Sequence, residues 1–200
     1  MSIVRLNNRG VRSATAFGSI TGLGSMVFLS KQTASSSSTI SFTSGIDSTY
    51  KVYLFTFNNM HPASASTLSF NGSIDTGSNY NVAKTSSSFY HLHKEDDSST
   101  ALSYNVYQDL AQGTGAQGLI GTLATDNDSG GSGKLYIFNP SSTTFVKHYI
   151  ANANGSNAQS VNSYTTGYFN TTSAIDAIQF SMSTGNIDAG TIKLYGIKDS

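Results

Sequence analysis

His91-Leu92-His93 is the tightest pairing of metal-competent side chains in the sequence. In an extended strand, residues i and i+2 leave the same face, so both imidazoles point together and can begin a metal site. Glu95 continues that face. In a trimer, such a pair from each chain would surround the axis with nitrogen ligands. The plainer reading is a polar strand end facing solvent. Asp126-Asn127-Asp128-Ser129-Gly130 opens like a calcium loop, with acids at alternate positions. A full loop of that kind needs an acid at its twelfth position, where Ile137 stands. A looser cation site and a solvated turn both remain open for Asp126 and Asp128. Beyond such a structural ion, no cofactor is expected.

Catalytic arrangements are missing. Ser, His and Asp are all present, but no Gly-x-Ser-x-Gly elbow places a nucleophile. Glycoside hydrolysis needs two carboxylates at a set separation, whereas the acids here fall mostly in expected turns, and the one Glu sits in the charged run Lys94–Asp97. Gly131-Ser132-Gly133-Lys134 lacks the upstream Gly (Asp128) and the downstream Ser/Thr (Leu135) of a phosphate-binding loop. The expectation is a protein that is not an enzyme. Tyrosines offer a different chemistry. Tyr80, Tyr90, Tyr104, Tyr107, Tyr164 and Tyr168 fall at strand ends or near loops. There a flat ring with a hydroxyl suits a sugar or a protein partner. The same rings would also serve to cap a core.

These residues must be positioned by a chain of unusual composition. Charged residues are 11% of the 200, well under the usual quarter, and 11 Tyr with 11 Phe argue against disorder. With few charges, the surface must be made of hydroxyls and amides, which are readily buried against a partner. Net charge is zero but unevenly placed: Arg5, Arg9, Arg12 and Lys31 all precede the first acid, Asp47. The body is therefore net negative, which disfavours nucleic-acid binding. There is no cysteine, hence no disulfide and no thiolate metal site. No apolar run approaches the roughly 20 residues of a membrane helix, so no membrane partner is expected. The run Leu23–Leu29 is broken by Gly24 and Ser25 with no small-x-small site after it, so no cleaved leader is expected either.

Three zones follow. Residues 1–34 form a basic, Gly-punctuated arm whose apolar positions, among them Phe17, Leu23, Val27 and Phe28, need burial on a neighbour or partner. Residues 35–38, Ser-Ser-Ser-Ser, read as a flexible hinge. From Thr39 onward the sequence reads as β structure in short alternating runs. These are Ile40–Thr43, Thr49–Phe57, Thr67–Asn71, Ser88–Lys94, Leu102–Gln108, Leu119–Ala124, Lys134–Phe138, Phe145–Ala151, Gly167–Asn170, Ala174–Ser181 and Thr191–Ile197. Thr49–Phe57 is apolar on both faces and belongs in the middle of a sheet. Asn71-Gly72 and Asn154-Gly155 predict type I′ turns, and Asn139-Pro140-Ser141 and Gly185-Asn186 predict turns as well. About ten short strands without βαβ alternation predict an all-β antiparallel β-sandwich, jelly-roll or lectin-like, carrying an extended N-terminal arm.

The segments Leu6–Ser13, Phe17-Gly18-Ser19 and Leu23–Phe28 resemble the opening of virion structural proteins of marine tailed bacteriophages. Tyr50–Phe57 with His61-Pro62, Leu135–Phe145, Gly167–Ala174 and Gly190–Ile197 are similar to the same group. The resemblance implies a place on the virion surface, after synthesis in the host bacterial cytoplasm, as a capsid decoration protein or a tail fibre-like appendage. It carries over no catalytic residue. Arg5, Arg9, Arg12, Phe17, Leu23, Val27 and Phe28 would bind other virion proteins, and a homo-oligomer, with a trimer favoured, is expected. The alternative is a receptor-binding module that takes host surface glycans through Tyr80, Tyr90, Tyr104, Tyr107 and Tyr164.

Overall fold

The computed structural model describes residues 25–199. They form twelve strands: β1 Met26–Ser37, β2 Thr39–Phe42, β3 Val52–Pro62, β4 Leu68–Ser73, β5 Lys84–Lys94, β6 Thr100–Tyr104, β7 Gln117–Gly118, β8 Gly130–Phe138, β9 Lys147–Ser156, β10 Gln159–Phe169, β11 Ala177–Met182 and β12 Ile187–Ile197. Among the described residues no helix is long and apolar enough to cross a membrane. All pairings are antiparallel. They build an eight-stranded sheet in the order β1-β12-β3-β8-β9-β10-β5-β6 and a four-stranded sheet in the order β2-β11-β4-β7. Without the hairpins β5-β6 and β9-β10, the orders reduce to β1-β12-β3-β8 over β2-β11-β4-β7, which is the connectivity of a jelly roll. The two hairpins extend one sheet sideways beyond the other. That overhang makes the site described below.

Period-two alternation produces the core. In β9, Lys147, Tyr149, Ala151 and Ala153 are buried while His148, Ile150 and Asn154 are exposed. In β3, Tyr53, Phe55 and Phe57 point inward from the middle of the large sheet, as its two-faced apolarity predicts. Phe180 of β11 meets them from the small sheet, its ring 5.4 Å from Phe55 and 6.2 Å from Phe42. Phe70 stands edge-on to Tyr149 at 5.1 Å. Such edge-to-face pairs add roughly 0.5–1.5 kcal/mol each to the gain from burying area.

One row of this core is polar. Lys84 and Lys147 lie on either side of Phe169 in register, and all three are fully buried. The Lys84 ammonium donates to Asn71 Oδ1 (2.6 Å) and to the Val82 carbonyl (2.8 Å). Lys147 donates to the carbonyls of Thr171 and Ser173. Burial lowers both lysines, Lys84 to about 8, because an ammonium loses hydration that carbonyl dipoles only partly replace.

Several sequence expectations need correction. The boundary of the arm at residue 34 and the hinge at 35–38 do not hold. Residues 26–37 are one continuous edge strand, with Ala34 opposite Gly190, Ser35 opposite Ala189 and Ser37 opposite Ile187. Hydroxyl side chains on a solvent-facing edge are compatible with a strand, and the serine run was informative only about exposure. Asn71-Gly72 is not a turn but the interior of β4. Asn71 donates its amide to the carbonyls of Tyr80 and Thr114, and a Cβ at Gly72 would fall 2.6 Å from the Phe169 ring. Asn154-Gly155 likewise lies within β9, where a Cβ at Gly155 would meet Ile120 at 2.6 Å. The β9-β10 turn comes later, with Ala158 at φ 50°. Both glycines serve close packing rather than positive φ. Leu119–Ala124 is not a strand; β7 is Gln117–Gly118, and Leu119, Ile120 and Leu123 cover the core from an irregular segment. The turns at Asn139 (φ 47°) and Gly185 (φ 70°) are as expected.

Candidate functional site

Where β5 and β10 extend past the edge of the small sheet, their inward face has no sheet opposite it. The cross-strand pairs there are Tyr90 with Ser163 and Leu92 with Val161. These side chains, Gln159 and the long β6-β7 connection enclose a cleft of about 520 Å³. Asn105, Tyr107 and Gln108 come from that connection, and Thr67, Ser69 and Ser183 close the side formed by the small sheet. Among the described residues no carboxylate and no cationic side chain lines the cleft.

Two atoms beneath its wall are chemically unsettled. Gln108 donates through Nε2 to the Ile120 carbonyl at 3.1 Å, but its Oε1 is buried without a partner. The Ser163 hydroxyl is likewise buried and unpaired, with the residue 1% exposed. A buried polar group left unsatisfied costs about 1–3 kcal/mol. Both atoms are closed to solvent, so a ligand in the cleft would meet instead the partly exposed groups of Asn105, Gln159 and Thr67. Opposite them, the Tyr107 ring is 95% exposed. Its backbone is fixed by its own N–H donating to Asn105 Oδ1. A solvated aromatic face beside amides and hydroxyls suits a neutral, polyhydroxylated ring, whose apolar face stacks while its edges hydrogen-bond.

The structure divides the tyrosines singled out by sequence. Tyr90 and Tyr107 belong to the cleft. Tyr164 and Tyr104 lie on the opposite, outer face of the large sheet. Tyr164 stacks on Phe89 at 4.9 Å with 12° between planes, and Tyr104 donates to Asp109 Oδ2 at 2.9 Å, which pushes its phenol up. Tyr168 is also on that face, tilted against His148. Tyr80 sits in the β4-β5 connection with its hydroxyl buried and unpaired. The cleft residues that sequence reasoning missed are Asn105, Gln108, Gln159 and Ser163. Ser163 carried a signal, since it is a hydroxyl at an inward position where alternation calls for an apolar residue.

His91 and His93 do share one exposed face of β5, but each is engaged separately. His91 Nε2 accepts from the Asn162 amide at 3.1 Å, and His93 Nε2 lies 2.8 Å from Asp97 Oδ1. Asp126 and Asp128 belong to the β7-β8 connection, where their carbonyls accept from Ser129 N–H and Ser156 Oγ. Among the described residues no three His, Cys, Asp or Glu side chains gather as metal ligands. Arg5, Arg9, Arg12, Phe17 and Leu23 lie outside the described residues. Val27 is half-buried in β1, and Phe28 is 56% exposed with its ring edge-on to Tyr195 at 5.8 Å.

No family model matches the chain, and no curated protein or solved structure matches it either.

Proposed function

We propose that this chain is a non-catalytic jelly-roll protein of a tailed-phage virion surface, a capsid decoration or tail appendage, and that its cleft holds a neutral glycan. The observation that carries the glycan reading is the cleft itself. It places the exposed Tyr107 ring and Tyr90 beside the amides of Asn105 and Gln159, with no charged side chain in the lining among the described residues. A charged sugar would find no counter-charge there, whereas a neutral hexose would find a stacking face and hydrogen-bond partners. The virion reading is supported by the likeness of residues 6–28 and of the body segments to phage virion proteins. It is also in keeping with the jelly roll, an architecture used by capsid and lectin domains, which is support by analogy only. The arginines at 5, 9 and 12 then serve attachment to an acidic neighbour in the particle.

The test is a titration of neutral oligosaccharides released from a host envelope into the full chain. Binding should weaken at least tenfold in Tyr90→Ala/Tyr107→Ala while the melting temperature stays unchanged. Equal binding by the double variant removes the cleft from the account.

A further inference from the structure

The outer face of the eight-stranded sheet segregates charge. The described residues hold eleven acids, and only Asp188, at the start of β12, lies within a strand. Lysines behave differently. Lys31 stands directly opposite Lys193, which is opposite Thr56, which is opposite Lys134. The partners of this row on either side along each strand alternate inward, so all three lysines leave the sheet on its outer side. Strands are about 4.8 Å apart, which spreads the three ammonium groups over roughly 14 Å. Among the described residues no carboxylate lies within ion-pair distance of any of them. Like charges directly opposite one another destabilise a sheet, so the Lys31–Lys193 pair costs stability with no carboxylate among the described residues to offset it.

A second row runs parallel to the first, one side-chain repeat along the strands. Phe28 pairs with Tyr195, Tyr195 with Leu54, Leu54 with Tyr136. Phe28 is 56% exposed, and the Lys134 ammonium lies 5.8 Å from the Tyr136 ring centre. The two rows are about 7 Å apart, near the width of a pyranose ring. Asn58 and Ser132 supply amide and hydroxyl groups beside the lysines.

We propose that this face docks an anionic polysaccharide, with its carboxylate or sulfate groups on the lysine row and its ring faces on the aromatic row. Charge complementarity selects the occupant. The face offers cations, rings and amides, while the described body as a whole is net acidic, with eight lysines against eleven acids and no arginine. The rings beside the lysines suit the apolar face of a pyranose, which favours a polysaccharide over a nucleic acid, and the binding experiment separates the two. This face lies on the other side of the sheet from the cleft, and its occupancy does not depend on what the cleft holds.

The experiment immobilises the full chain and measures binding of alginate, dextran sulfate, neutral dextran and a single-stranded DNA oligonucleotide at low and moderate salt. Alginate or dextran sulfate should bind, weaken with added salt, and lose at least tenfold in Lys31→Gln/Lys134→Gln/Lys193→Gln. That variant should keep its melting temperature or raise it. Absence of binding by both anionic polysaccharides, tighter binding of the DNA, or binding unchanged in the triple variant would each overturn the proposal.

Discussion

Ser163 shows how a single side chain separates stability from function in this protein. Its hydroxyl is buried at the cleft without a partner, so Ser163→Ala removes a desolvated group and leaves almost the same shape. The variant should be more stable by about 1 kcal/mol in denaturant unfolding and should bind the cleft ligand as tightly as the parent, because the hydroxyl is closed to solvent; a loss of stability would mean that the hydroxyl is satisfied in solution. Lys84 makes a second residue-scale case. Its ammonium titrates near 10.5 in the unfolded chain but near 8 in the fold, because burial disfavours the charge. Between those values the unfolded chain binds more protons than the folded one, so stability rises with pH through that window. Above about 10 the buried phenols of Tyr149 and Tyr53, which are pushed up, act in the opposite direction. Thermal melts should therefore climb from pH 8 to 10, and the climb should be smaller in Lys84→Met. Identical slopes would show that Lys84 is hydrated.

At the scale of elements, what could be read from sequence and what could not divide along physical lines. Alternation in β3, β9 and β12 is a local consequence of burial on one face, and it was legible. So were the turns at Asn139-Pro140 and Gly185-Asn186, whose residues favour the required backbone. The Asn-Gly pairs misled because tertiary packing can demand a glycine as firmly as a turn can; Gly72 under Phe169 and Gly155 under Ile120 are such places. The strand β1 was hidden for the opposite reason. An edge strand with hydroxyls on one side gives little apolar period, and only its partner β12 defines it. This changes where the arm should be cut. Truncation after residue 34 removes most of β1, including buried Ala34 and Leu29, which packs on the core. It should cost at least about 2 kcal/mol more than truncation after residue 24, read as a difference in denaturant midpoint. Equal midpoints would mean that β1 contributes nothing to the fold in solution.

On the scale of the whole molecule, the jelly roll accounts for the core and for the lysine-bearing outer face, and the two inserted hairpins account for the cleft. By widening one sheet beyond the other, β9-β10 and β5-β6 create the inward-facing cleft, while the lysine row stays on the jelly-roll strands β1, β12 and β8. Neither surface was legible in the sequence. Tyr90 and Ser163 are 73 residues apart and become neighbours only through the pairing of β5 with β10, and the lysine row joins three strands drawn from both ends of the chain. The tyrosines pointed to a sugar, a protein partner or a cap on the core without saying which of them would share a cleft. The central claim is that Tyr90, Tyr107, Asn105 and Gln159 hold one neutral sugar together. It is tested most directly by two-dimensional NMR of the labelled full chain titrated with the oligosaccharide that binds it. Saturating shifts should concentrate at those four residues and at Gln108 and Ser163 beneath them. Shifts confined to the outer face, or scattered without saturation, would contradict the account.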